Sequence, residues 1–76
     1  KMSLRALNSL KSGESSVIEG FTGKSKLQSR LVEMGVLSGM KVRMIKKTPF
    51  HGPIEVKIRS YHISLRWQDA KQILVN

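Results

Sequence analysis

Two five-residue runs of strict alternation, separated by two residues, constrain this chain more than any other feature in it. Ile54, Val56 and Ile58 alternate with Glu55 and Lys57, and Tyr61, Ile63 and Leu65 alternate with His62 and Ser64. A period of two sends successive side chains to opposite faces, so each run predicts a strand with one buried and one wet face. Arg59-Ser60 between them is the expected hairpin tip. The whole chain has 76 residues, about half the length usually allotted to a domain, which leaves room for one core. Residues 2–76 therefore read as a single domain. Lys1 ahead of Met2 reads as an extraneous leading residue and is set aside.

The remaining elements fit around that hairpin. Leu4, Leu7 and Leu10 recur every three residues, which suits one or two short helical or 3₁₀ turns. Ser16-Val17-Ile18-Glu19 is a short strand. Ser25 followed by Gln28 has the order of a capping box, and Leu27, Leu31 and Met34 then mark one face of a helix, with Val32 beside it. Gly35 ends that helix, so a helix is expected over residues 25–34. Lys41–Lys47 is a basic strand in which Val42 and Met44 share a face and Ile45 breaks the alternation, pointing to a bulge. Residues 48–53 form a loop with two prolines. Gln68 to Gln72 suits one helical turn, and Ile73-Leu74-Val75 a closing strand. The sum is mainly β: five short strands, one helix and short helical turns. One helix cannot cover both faces of a sheet in so short a chain. The economical solution is a strongly bent sheet closing on itself, an SH3-like or OB-like barrel capped by the helix.

Composition narrows the chemistry. With no cysteine, a disulfide framework, a thiolate zinc site, an iron–sulfur cluster and a cysteine nucleophile are excluded, and a reducing compartment such as the cytosol is expected. The apolar runs are too short for a membrane span or a signal peptide. The formal net charge is +9. It is uneven: residues 1–38 carry six basic and three acidic groups, and residues 39–76 carry eight and two. Such a field attracts nucleic acid, anionic lipid or an acidic protein face, or simply keeps the surface solvated.

No active site assembles. Gly20-Phe21-Thr22-Gly23-Lys24-Ser25 lacks the spacing of a phosphate-binding loop, the carboxylates show no paired spacing, and no nucleophile motif is present. His51 and His62 lack a third ligand and read as surface histidines, so no metal or cofactor is expected. Nucleic acid is not expected either: Phe21, Phe50, Tyr61 and Trp67 do not interleave with basic residues to make a stacking platform.

Three stretches carry a family resemblance. Residues 30–39, Arg-Leu-Val-Glu-Met-Gly-Val-Leu-Ser-Gly, resemble the helix and turn of the ferrous iron transport protein A (FeoA) family. Gly52-Pro53-Ile54-Glu55-Val56 resembles its loop and strand. Ser64-Leu65-Arg66, Asp69-Ala70 and Ile73 with Val75 resemble its closing segment. Ser38 replaces a usual proline, His51 alters the loop, and Ser60 replaces a hairpin glycine, a costly change if that tip needs positive φ. The resemblance implies an SH3-like domain in the bacterial cytosol with no chemistry of its own. It would assist the large membrane ferrous-iron transporter, contacting that transporter's cytosolic region, near an anionic membrane surface. The same fold in iron-dependent repressors supplies the alternative, a nucleic-acid-binding or repressor-type module.

The contact residues expected for such an accessory protein are few. Trp67 and Phe50 are the aromatic anchors if they are exposed; packing over the core is the other reading of each. Arg66 lies in the family motif and is as suited to pair with Asp69 or Glu55 as to touch a partner. Lys41, Arg43, Lys46 and Lys47 supply electrostatic steering.

Overall fold

A computed structural model describes residues 4–23 and 25–76, with backbone only at residues 25 and 27. The capping role expected of the Ser25 side chain and the burial expected of Leu27 lie outside the described residues. The elements run β1 (Arg5–Ala6), a 3₁₀ turn (Leu7–Ser9), β2 (Ser15–Phe21), α1 (Ser25–Glu33), β3 (Lys41–Lys47), β4 (Ile54–Ile58), β5 (Tyr61–Leu65), α2 (Trp67–Ala70) and β6 (Ile73–Val75). They form one six-stranded sheet in the order β1-β6-β2-β3-β4-β5, with every pairing antiparallel. The fold is the small, mainly β SH3-like architecture expected. It has six strands rather than five, and the hydrogen-bonded order is open between β1 and β5.

The sixth strand comes from the first leucine repeat. Leu7 and Leu10 are buried on the 3₁₀ turn as the spacing implies, but Leu4 is exposed and Arg5–Ala6 pair instead with Val75 and Leu74 of β6. A two-residue strand is too short to show a period, which is why the sequence hides it. β3 carries the irregularity that Ile45 signals: its register against β4 shifts between Met44 and Lys46. A second shift lies in β2 against β6, between Ile18 and Gly20. Such bulges bend a sheet and raise its twist. The bend lets Ile18, Val42, Met44, Ile54, Val56, Ile58, Ile63, Leu65, Ile73 and Val75 share one core with Leu31 and Val36.

α1 lays Leu31 into that core. Its end is built by Gly35 at φ 87°. Val36 N–H donates to the Leu31 carbonyl at 2.9 Å and Gly35 N–H to the Val32 carbonyl at 2.9 Å. This paired closure needs a left-handed residue, which glycine adopts without a Cβ clash. Beyond it the chain departs from the helical face, so Met34 is 43% exposed and Val32 48% exposed rather than packed. A 2.9 Å ion pair joins Arg30 of α1 to the buried Asp69 of α2. Among the described residues no helix is long and apolar enough to cross a membrane.

Candidate interaction surface

Three surface features stand apart from the core. The first is the tip of the β3–β4 loop. Phe50 and His51 lie at φ 60° and 59°, and Gly52 N–H donates to the Pro49 carbonyl at 3.3 Å. Two consecutive residues at positive φ are the pattern of a I′ turn, which favours Asn and Gly. Phe and His there cost on the order of 1 kcal/mol or more each. His51 recovers part of it by stacking on Trp67, with ring centroids 3.9 Å apart and planes 14° apart. Phe50 recovers nothing: it is fully exposed.

The two expected anchors therefore part company. Trp67 does not project freely. It opens α2, is half-buried against the core, lies under His51, and has the Lys71 ammonium 5.6 Å from its ring centroid. Phe50 is the exposed aromatic. Arg66 pairs with neither carboxylate weighed for it: Asp69 takes Arg30, and Glu55 lies 3.6 Å from His62. The Arg66 carbonyl instead accepts from Asp69 and Ala70 N–H at 3.0 Å, and its side chain is exposed. His51 and His62 are thus drawn to different partners, one to an indole and one to a carboxylate.

The second feature is a cationic stripe on the outer face of β3 and β4. Lys41, Arg43, Lys57 and Arg59 surround a shallow depression with Ser15. Arg43 stands directly opposite Lys57 in the register. Lys46 and Lys47 fall outside this group because the bulge resets the strand. Lys46 comes opposite Glu55, and Lys47 Nζ donates to the Asn8 carbonyl at 3.2 Å. The alternation of β4 had already put Lys57 on the wet face. Its partnership with Arg43 depends on a bulge and a six-residue loop that sequence spacing does not resolve.

The third feature is an apolar cleft of about 160 Å³ between the end of α1 and the β4–β5 hairpin, lined by Met34, Leu37, Met40, Ile58, Tyr61 and Ile63 among others. Tyr61 is 68% exposed, against the buried position that its alternation with Ile63 and Leu65 predicts. It is the first residue after the hairpin tip, opposite the buried Ile58, and it lines this cleft. The cleft residues come from two separate stretches, 34–40 and 58–63, so no local pattern announced them.

Over residues 5–76 the chain matches the family described as the FeoA domain. A curated relative, the Fe(2+) transport protein A/Fe(2+) transporter FeoB fusion protein of Porphyromonas gingivalis, is 32% identical over 91% of this chain. The chain spans only 8% of that relative's length. The NMR structure of a FeoA-like protein from Clostridium acetobutylicum superposes with a TM-score of 0.88 at 29% identity, covering 100% of this chain and 88% of that one. A manganese-dependent transcriptional repressor in complex with manganese superposes at 0.90 with 19% identity, covering 99% of this chain and 37% of that one, a likeness of fold alone.

Proposed function

The chain belongs to the FeoA domain family, and from that premise we propose that it is a non-catalytic accessory domain of ferrous iron uptake. In this reading it binds the cytosolic region of the membrane ferrous-iron transporter by protein–protein contact. One observation carries the proposal: in the Porphyromonas gingivalis relative, a domain like this one shares a polypeptide with a ferrous-iron transporter. Two functions joined in one chain act at one place, and separate chains reach the same arrangement only through an interface. The surface supports this. Phe50 is held fully exposed on a strained turn, and a solvent-facing aromatic of this kind serves as an interface anchor once a partner desolvates it.

The test is biolayer interferometry of the purified chain against the transporter's cytosolic region. Binding is expected, and Phe50→Ala should weaken it roughly tenfold while leaving the melting midpoint unchanged, since the side chain touches nothing that stabilises the fold. No binding by the wild-type chain overturns the proposal. Titration of GTP into the chain alone should release no heat, because no phosphate-cradling loop is present; micromolar GTP binding would overturn the non-catalytic reading.

A further inference from the structure

The apolar cleft and the cationic stripe meet at one residue. Arg59 lines both. We propose that they form one continuous docking surface for an acidic, amphipathic peptide segment of the partner. An apolar side chain of the segment sits between Met34, Leu37, Met40 and Tyr61, and its carboxylates lie along Lys41, Arg43, Lys57 and Arg59. This inference rests on the reading of the chain as a protein-binding domain and names the chemistry it binds.

Charge is the first argument. Like charges set directly opposite across two strands destabilise a sheet, yet Arg43 faces Lys57. Among the described residues no ion pair joins any of the four cations to a carboxylate. Four of the chain's five acids are engaged elsewhere: Glu14 with Arg5, Asp69 with Arg30, Glu55 beside His62, and Glu19 accepting from Asn76. The fifth, Glu33, lines a different depression on α1 with Gln28, Ser29 and Val32. A complementary potential has to come from another molecule.

Backbone conformation is the second. Arg59 lies at φ 58°, the first of the two tip residues, where glycine is free of strain. Arg59 thus stands at the junction of the two surfaces in a strained backbone conformation, an outlier of the kind that clusters at ligand-contacting sites.

Shape decides between occupants. The cleft is concave, which suits an inserted side chain; a bilayer takes up protruding apolar groups instead. Its lining is mostly aliphatic, whereas single-stranded nucleic acid needs aromatic faces interleaved with cations.

The test has two arms. In the first, the isotope-labelled chain is titrated with a short synthetic peptide of Glu and Leu at helical spacing, with the same peptide carrying Gln for Glu or Ser for Leu, with oligo-dT, and with phosphatidylglycerol vesicles. The Glu–Leu peptide should shift amide resonances at Met34, Leu37, Met40 and Tyr61 together with those of the stripe, and both altered peptides should bind more weakly. Absence of those shifts, or tighter binding of oligo-dT or vesicles at the stripe, overturns the inference. In the second arm, Tyr61→Ala, Lys57→Glu and Arg59→Gly are measured against the transporter's cytosolic region. Each should weaken binding roughly tenfold, and Arg59→Gly should do so while raising the melting midpoint, a pairing that a structural role would not produce. Wild-type binding unaffected by all three overturns the inference and leaves the transporter reading standing. Peptide binding at the cleft without transporter binding upholds the inference and overturns that reading.

Discussion

Among the described residues, the non-glycine positions at positive φ are Phe50, His51 and Arg59, all at the tips of the β3–β4 and β4–β5 connections. At the first tip the strain is compensated through Trp67, so Trp67→Ala should cost about 2 kcal/mol, less than for a fully enclosed indole; thermal unfolding checks this. At the second tip the sequence located the hairpin correctly from Arg59-Ser60 but pointed to Ser60 as the strained position. The positive φ falls on Arg59 instead, because which of two turn residues turns left-handed depends on the turn type, and strand periodicity does not encode that. A third local device was not legible at all. Glu14 accepts from the Lys11 N–H at 2.9 Å and from the Arg5 guanidinium at 2.6 Å. The Lys11 hydrogen bond first, and then Arg5, hold its carboxyl below the ordinary carboxylate value. The unfolded chain therefore binds its proton at a higher pH than the folded one does. The stabilisation is complete above about pH 5 and is lost as pH falls through the depressed folded value. Glu14→Gln should flatten the acid limb of a stability–pH curve and leave its neutral plateau lower; an unchanged acid limb would contradict it.

At the scale of elements, α1 shows both the reach and the limit of periodicity. Leu31 at the centre of the helix is buried as its spacing demands, and Leu31→Ala should cost roughly 2–5 kcal/mol, a large share of what a small domain holds. Denaturant unfolding will show it as a lowered midpoint with an unchanged slope. Met34 continues the same spacing and is exposed, since Gly35 has already turned the chain. A helical wheel ignores where the helix stops. Gly35→Ala, with open space where its Cβ would fall, should cost about 1 kcal/mol through backbone strain alone. β3 was legible down to its bulge because Ile45 visibly breaks the pattern. Its alignment with β4 was not, and the composition of the cationic stripe follows from that alignment.

For the whole molecule, the surplus of positive charge lies mainly in residues 39–76, and the fold gathers part of it into the stripe. Steering by such a field acts on association and fades as salt screens it, over about 10 Å at 0.1 M. Reversal of Lys41 and Lys57 to Glu should slow association with the transporter's cytosolic region at low salt more than reversal of Lys46 and Lys47, whose local surroundings already include Glu55 and the Asn8 carbonyl. Stopped-flow rates at two ionic strengths will separate the pairs; equal slowing would show that only net charge matters. The pairing of Arg5 with Val75 has a different consequence. Polypeptide joined to either end of the domain would leave from the same edge, while β5 and Tyr61 stand last in the strand order. The domain can then be joined to a longer protein through neighbouring attachment points, with no strand of its sheet displaced. Tethering of that kind raises the local concentration of a weak binder to the millimolar range, so a modest interface suffices when the two halves share a chain, and a tighter one is required when they do not.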